Sequence, residues 1–292
     1  MQCTMAVLAG PADIEYFRHI TAHLKRTAHF QFSETLLVLD TMQLRKSEAL
    51  VAAARAMQAA NEIDRYVELE PHMNIMLAHK HFTQPPKRLR DNRGIPLFGW
   101  IAGMENATTD YLFHSDSDIL IHSAANFSWV KAAIDIMEND PSIMFVAPLA
   151  GPPNPYGLVG QKVAPIIDEA GNYRFKTFSS RHYVVNRRRF EKLLPLRPLH
   201  ASKWRKLVMT LGGSSSFRSW EKHVGLALAS SAFFRIHLSD PRAWGLHCKD
   251  HGPTWRENLP SIMAAVERGD FPRSQAGYYN LRLEDWLKTG RT

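Results

Sequence analysis

The chain has 292 residues, of which 45% are hydrophobic and 22% are charged. This composition excludes collagen, coiled coil and a wholly disordered chain, and the length suits one large domain or two fused halves. Lys and Arg number 36 against 28 Asp and Glu, a net charge of +8, which favours a polyanionic or phosphorylated partner, although solvated basic loops would produce the same balance.

The N-terminal part of the chain alternates between strand and helix patterns. The predicted order is a strand at residues 3–9, a helix at 11–30, a strand at 34–40, a helix around 50–57 and a strand at 64–69. The apolar run at 34–40 (ETLLVLD) is continuous, as expected of a strand covered on both faces. Such a series favours an α/β fold with an open, mostly parallel sheet and helices on both faces.

A loop rich in proline and arginine follows at residues 84–94. The next helix is expected to begin at Pro96, because proline is tolerated in a first turn, and to end before Thr108. Residues 110–122 (DYLFHSDSDILIH) then form the most informative segment of the chain. Another amphipathic helix, from Phe127 to Met137, leads into a strand at 143–148.

The pattern becomes irregular near residue 150. We therefore divide the chain into a regular α/β half (residues 1–150) and a loop-rich half (residues 151–292), packed as one continuous domain. The second half is predicted to contain a loop at 151–157, a strand at 182–185, a flexible segment at 212–216 (GGSSS), a helix from residue 219 and a strand at 233–238. The sequence contains no internal repeat.

Asp116 and Asp118 stand two residues apart at the end of an apolar strand. The period of two in extended chain predicts that both carboxylates face one side, where they would repel each other unless a cation lies between them. Such a pair supplies oxygen ligands suited to Mg²⁺ or Mn²⁺ and leaves positions open for diphosphate oxygens. An EF-hand is excluded because its Gly and closing Glu are absent. A hydrogen-bonded strand terminus is the alternative interpretation.

The order of elements, the basic loop containing Asn92-Arg93-Gly94 and the segment ATTDYLFHSDSD together resemble the GT-A glycosyltransferases, especially those of family 2. The resemblance covers about residues 3–150 and continues more loosely to about residue 255. It implies a GT-A, Rossmann-like fold in which residues 1–150 bind a nucleotide sugar and residues 151–292 bind the acceptor.

The same resemblance implies roles for three acidic residues. Asp118 is expected to bind the metal directly, Asp116 to contact the ribose or, through water, the metal, and Asp40 to hold the nucleobase or ribose. The first strand departs from the family pattern, because Ala9-Gly10-Pro11 replaces a polar turn that contains tyrosine. How the base is held is therefore not predicted.

Glu221 is the candidate general base. Ser219 can cap the helix that follows it, and a carboxylate in a helix's first turn is stabilised as an anion. At the mouth of a cleft this carboxylate could take a proton from an acceptor hydroxyl, and family 2 enzymes have an acidic residue in the corresponding place. A glutamate that only complements the helix dipole is the alternative, and His223 is a second candidate base.

His247 and His251 are candidate metal ligands because many GT-A enzymes complete the metal shell with a late histidine, and imidazole is a reasonable ligand for Mn²⁺. Asp250 could orient one of them. Histidines with purely structural roles are the alternative, and zinc is less suitable because no further N or S ligand has the required spacing. Arg93, just before a helix N-terminus, is expected to meet a diphosphate.

These residues predict a metal-dependent glycosyltransferase that moves a sugar from a nucleoside diphosphate to an acceptor hydroxyl, with inversion implied by the resemblance. The acceptor is expected to be a glycan or a lipid-linked molecule. The alternatives are a sugar-phosphate nucleotidyltransferase and a basic nucleic-acid-binding protein, the latter disfavoured because no binding motif is present.

The expected setting is the cytoplasm, with peripheral association at the inner membrane face as a hypothesis. No apolar run approaches the roughly 18 residues that span a bilayer, and residues 1–13 lack a secretory signal pattern. Cys3 and Cys248 are too far apart in sequence to suggest a disulfide framework.

Overall fold

The protein is described by a computed structural model covering residues 1–42, 44–154, 164–201 and 215–289. Its strands are β1 (Cys3–Ala9), β2 (Glu34–Leu39), β3 (Arg65–Glu68), β4 (Tyr111–Asp116), β5 (Ile119–Ser123), β6 (Ile143–Ala147), β7 (Leu149–Ala150), β8 (Ile166–Ile167), β9 (Tyr173–Phe175), β10 (His182–Asn186), β11 (Phe234–His237) and β12 (Ala243–His247). Its α-helices are α1 (Phe17–Thr27), α2 (Leu44–Ala59), α3 (Pro71–His81), α4 (Gly99–Asn106), α5 (Trp129–Asn139), α6 (Arg187–Glu191), α7 (Trp220–Ala229), α8 (Pro253–Arg268) and α9 (Leu283–Thr289).

Within these described ranges, the main sheet has the strand order β3-β2-β1-β4-β10-β6-β11-β9-β8. Strands β3, β2, β1 and β4 are parallel neighbours, β10 is antiparallel to both β4 and β6, and β11 is parallel to β6. A smaller sheet has the order β5-β12-β7. Strands from both halves of the sequence thus share the main sheet, since β10 lies between β4 and β6.

The central strands of the main sheet are buried on both faces because their side chains are apolar on both faces. In β2, Leu37 and Leu39 belong to one core cluster, whereas Leu36 and Val38 belong to the other. The first cluster includes side chains of α1, α2, α5 and α8, and the second includes side chains of α3, α4 and α7. The predicted α/β class, a mostly parallel sheet with helices on both faces, is confirmed.

The helix predicted at residues 11–30 is shorter than expected. A 3-10 turn at Pro11–Asp13 precedes α1. Helix α3 was missed because Asn74 and His81 lie on its buried side and Ile75 and Met76 are exposed, so its apolar pattern is irregular.

The start predicted for the next helix, at Pro96, is wrong: α4 begins at Gly99. The backbone N–H of Asp91 donates to the carbonyl of Ile95, and that of Leu97 donates to the carbonyl of Leu89. These bonds hold the segment around Pro96 in a hairpin, so the helix begins only after this segment. Residues 155–157 and 212–214 of the predicted loop and flexible segment lie outside the described residues.

No helix among the described residues has the length and apolar character needed to cross a bilayer.

Candidate active site

A cleft of about 190 Å³ lies at the carboxyl ends of neighbouring strands in the main sheet. Its polar lining consists of Asp13, Asp40, Trp100, Asp116, Ser117 and Asp118. Asp40 follows β2, Gly10 follows β1, and Asp116 ends β4. Parallel strands that end side by side place these residues together although they are far apart in sequence, and open α/β sheets bind ligands at such an edge.

Asp116 is fixed by its backbone and by three side chains. Its N–H donates to the carbonyl of Arg181 over 2.8 Å. The indole N–H of Trp100 and the Nε2 of His114 lie 3.0 and 3.2 Å from Asp116 Oδ1. The Arg181 guanidinium lies 3.3 Å from Asp116 Oδ2. The carboxylate is therefore held in one orientation at the wall of the cleft.

The prediction from the period of two assumed that Asp118 lies in extended chain together with Asp116. In the structure, Asp118 lies instead in the turn between β4 and β5. Both carboxylates nevertheless line the same cleft, because the turn is tied down on both sides. The N–H of Ser117 donates to the carbonyl of Leu8, and the N–H of Cys248 donates to the carbonyl of Asp118. One carboxylate oxygen of Asp118, Oδ1, is buried without a hydrogen-bond partner.

The other oxygen of Asp118, Oδ2, is surrounded by cationic or basic groups. His247 Nε2 lies 3.4 Å away, His251 Nε2 3.5 Å away and an Arg181 nitrogen 3.5 Å away. Burial acts to raise the pKa of the Asp118 carboxyl, but the hydrogen bonds of the two histidines and the charge of Arg181 outweigh it and hold that pKa well below its usual value. Asp118 is therefore an anion.

His247 reaches Asp118 through strand pairing. It ends β12, which runs antiparallel to β5 with His247 opposite Ile119. Its Nδ1 donates to the side-chain oxygen of Asn280 over 2.8 Å, which leaves Nε2 directed at Asp118. The structure thus brings this predicted site residue to Asp118.

His251 also reaches Asp118, but its ring nitrogens face acceptors. Nε2 lies 2.8 Å from the Cys248 carbonyl, and Nδ1 lies 3.1 Å from the hydroxyl of Tyr16, which itself donates to Asp13. The hydrogen bond to Asp118 raises the pKa of His251 despite its burial. This imidazole is therefore suited to being a cation.

Asp40 also lines the cleft. It follows β2, which is separated from β4 by β1, and its N–H donates to the carbonyl of Ala9. An Arg90 nitrogen lies 3.9 Å from its carboxylate. Burial raises the pKa of Asp40, with the Met42 N–H and Arg90 acting against it.

Glu221 lies in the first turn of α7, as predicted, and accepts a long hydrogen bond of 3.4 Å from Ser180. Its neighbour Trp220 stacks on Trp100, with ring centroids 6.0 Å apart and planes 4° apart. Helix α7 is therefore attached to a wall of the cleft. The residue at its N-cap position, Ser219, makes no side-chain capping bond, contrary to prediction.

His223 is engaged at both ring nitrogens. The N–H of Leu199 donates to Nε2 over 2.8 Å, and Nδ1 donates to the carbonyl of Ser219 over 2.9 Å. Burial lowers the pKa of His223 to about 4. No ring nitrogen is left for a substrate.

Arg93 is not among the residues that line the cleft. Its guanidinium pairs with Asp91 in the basic loop at 3.2 Å, and 59% of its side chain is exposed.

Asp250 accepts from the N–H of Gly252 rather than from an imidazole.

Sequence reasoning missed Arg181, Asp13, Tyr16 and Asn280. Arg181 immediately precedes a predicted strand, and Asp13 closely follows the first strand. Their positions beside strand ends gave a weak indication that they belong to the site. Asn280 offered none, because its contact with His247 depends on chain folding back over 33 residues.

Among the described residues, no group of three or more His, Cys, Asp or Glu side chains is already arranged as a metal site.

No family model and no curated protein matches the chain. Among solved structures, CMP:2-keto-3-deoxy-manno-octonic acid synthetase complexed with CTP is 10% identical, over 90% of this chain and 99% of that chain, with a TM-score of 0.43. The mannosyltransferase PcManGT from Pyrobaculum calidifontis, in complex with GDP-Man and Mn²⁺, is 13% identical over 90% and 61%, with a TM-score of 0.44. S. aureus TarS 1-349 is 14% identical over 94% and 68%, with a TM-score of 0.41. These are loose likenesses of fold, and the function is inferred below from the site itself.

Proposed function

We propose that the protein is a metal-dependent glycosyltransferase that moves a sugar from a nucleoside diphosphate to an acceptor hydroxyl. The observation that carries this proposal is the Asp118 carboxylate, which belongs to a residue lining the cleft and has one buried oxygen without a hydrogen-bond partner. A buried carboxylate oxygen without a hydrogen-bond partner costs free energy, and a bound cation would offset that cost. The location, at the carboxyl ends of parallel strands, suits a nucleotide.

The donor set fits a divalent cation. Asp118 Oδ2 and the Nε2 of His247 are 3.4 Å apart, and Asp116 lines the same cleft as Asp118. Carboxylates together with one imidazole favour Mn²⁺ over Mg²⁺. When bound, the metal would neutralise charge on the departing diphosphate. Of the two histidines, His247 is the proposed ligand, because the partners of His251 are acceptors that keep its ring protons in place.

The remaining residues have separate tasks in this proposal. Asp40 contacts the ribose or base, and Asp116 contacts the ribose or, through water, the metal. Glu221, on a helix attached to the cleft through Trp220 and Trp100, takes the proton of the attacking hydroxyl. An inverting outcome follows if that base acts opposite the leaving diphosphate.

Asp118→Asn tests the proposal. It keeps the size of the side chain but removes the charge, so Mn²⁺-dependent turnover of a panel of nucleotide sugars should fall by at least about a hundredfold. Asp135→Asn is the matched control, because Asp135 pairs with Lys131 on the surface of α5, away from the cleft lining. Turnover that is unchanged in Asp118→Asn, or equal in metal-free buffer, contradicts the proposal.

The substrate panel also separates the alternative reaction. A nucleotidyltransferase would transfer the nucleotidyl group of a nucleoside triphosphate to a sugar phosphate and release pyrophosphate. The loop after β1 gives no support to that reaction, because Gly10 leads directly into the 3-10 turn at Pro11–Asp13 and no Gly-rich, Arg-containing loop is present there.

A further inference from the structure

Arg181 contacts both carboxylates of the candidate site. One of its guanidinium nitrogens, Nη1, lies 3.3 Å from Asp116 Oδ2 and 3.5 Å from Asp118 Oδ2. The described contacts of His247 and His251 with the acidic pair reach only Asp118. Arg181 is therefore the group that bridges the two acids in the described part of the chain.

Backbone pairing holds Arg181 in this place. Its carbonyl accepts the N–H of Asp116, and the next residue begins β10, which pairs with β4 along its length. The Arg181 side chain is 39% exposed, whereas those of Asp116 and Asp118 are 10% and 11% exposed. The guanidinium thus lies over the two acids on the side nearer to solvent.

The charges decide what this arrangement can bind. Arg181 neutralises part of the charge of Asp116 and Asp118, so it weakens their attraction for a divalent cation that enters alone. A diphosphate that enters with the cation adds an anion that the guanidinium attracts. Like charges a few ångströms apart in a partly buried site repel by more than thermal energy.

We propose that Arg181 is a positioning residue that makes the binding of the divalent metal and of the nucleoside diphosphate depend on each other. This inference rests on the proposed function. The guanidinium weakens the binding of the metal alone and strengthens the binding of the anionic ligand, so the two ligands enter together. By linkage, each must raise the affinity for the other by the same factor.

The test measures the Kd of Mn²⁺ by electron paramagnetic resonance of free Mn²⁺, alone and with UDP, GDP, CDP or ADP. In the wild type, Mn²⁺ alone should bind weakly, and one of the diphosphates should tighten it about tenfold or more. Arg181→Met keeps the length of the side chain without its charge. It should bind Mn²⁺ alone about tenfold more tightly, with the tightening by diphosphate reduced by the same factor.

Three further variants sharpen the test. Arg181→Lys keeps the charge and should behave as the wild type within about threefold. Arg181→Gln repeats the neutral change if Arg181→Met does not fold, as judged by circular dichroism. Arg188→Met is the matched control, because Arg188 pairs with Asp110 on the surface and has no contact with the acidic pair.

Two outcomes overturn the inference and are distinguishable. If the wild type binds Mn²⁺ together with a diphosphate but the neutral variants bind Mn²⁺ alone no more tightly, the role of Arg181 is wrong and the proposed function stands. If the wild type binds no Mn²⁺ with any of the diphosphates, both the inference and the metal dependence in the proposed function fail.

Discussion

Asp116 and Asp118 share a cleft but have different surroundings. Asp116 is oriented by the N–H groups of Trp100 and His114, whereas Asp118 has two histidines at one oxygen and no partner at the other. The first arrangement holds a carboxylate still, and the second leaves one buried carboxylate oxygen without a hydrogen-bond partner. The D-x-D spacing predicted that the two acids lie together, but it did not distinguish these two environments.

Trp100→Phe tests how Asp116 is oriented. The variant keeps an aromatic ring against Trp220 but removes the indole N–H that donates to Asp116 over 3.0 Å. Loss of a hydrogen bond to a charged group costs about 1.5 kcal/mol, so Mn²⁺–diphosphate binding should weaken roughly tenfold in a titration.

Trp286→Phe is the control for this change. Its indole N–H also donates over 3.0 Å to a side-chain oxygen, that of Gln275, but Trp286 does not line the cleft. Equal affinities of the two variants would mean that Trp100 does not position Asp116.

At the scale of elements, the approach of β10 to β12 positions the histidine side of the site. Gly245 lies in the middle of β12, where an added Cβ would lie 2.8 Å from Nε2 of the buried His182. His182 Nδ1 in turn forms a hydrogen bond of 2.9 Å with the hydroxyl of Tyr279. Because Gly245 has no side chain, His182 can pack directly on the strand that carries His247.

Gly245→Ala should therefore destabilise the protein. The ring of His182 is enclosed and cannot move away freely, so the free energy of unfolding in urea should fall by about 1–3 kcal/mol. The matched control is Gly225→Ala in α7, where the added Cβ would lie 3.6 Å from the nearest atom, the backbone nitrogen of Phe178. That variant should be neutral or more stable by up to about 1 kcal/mol, because alanine favours a helix interior. Equal unfolding free energies would show that the contact with His182 is not tight.

Most elements on the first half of the chain were predictable because their apolar patterns are strong. Strand β1 was predicted with its observed ends, and β2, β3, α5 and β6 were placed within a residue or two. The helix start at Pro96 was wrong because hydrogen bonds within residues 89–97 hold a hairpin there, which overrides the preference of proline for a first helical turn. Helix α3 was missed because polar residues such as Asn74 face inward.

At the scale of the whole molecule, folding encloses several histidines in neutral form. Burial lowers the pKa of His182 to about 3 and that of His223 to about 4, and it also lowers the pKa values of His23 and His237. His23 shows how this is arranged: its Nε2 accepts from the N–H of Ile121, and its Nδ1 faces Glu267. The folded protein therefore takes up fewer protons than the unfolded chain in mild acid.

The stability of the protein should fall as the pH is lowered below about 6.5. In that range the unfolded chain protonates histidines that remain neutral when folded, and stability increases with pH wherever the unfolded state binds more protons. Each such histidine contributes a slope of about 1.4 kcal/mol per pH unit between its unfolded and folded pKa values. Urea unfolding at a series of pH values measures this slope.

His223→Gln should reduce the slope between pH 6.5 and 4, since it removes one of these groups. His72→Gln, at an exposed position of α3, is the control and should leave the slope as it is in the wild type. A stability that is flat over this pH range would contradict the burial of neutral histidines.

The sequence by itself determined the α/β class, the position of most strands and helices in the first half, and the pair of acids at 116 and 118 beside the end of a strand. These features are encoded locally, in apolar periodicity and in the chemistry of neighbouring residues. Only the tertiary structure decided that His247, His251 and Arg181 meet the same two carboxylates, and that Arg93 does not line their cleft. Those contacts depend on the pairing of β12 with β5 and of β10 with β4, and pairing between distant strands is set by the packing of the whole sheet rather than by any local stretch of sequence.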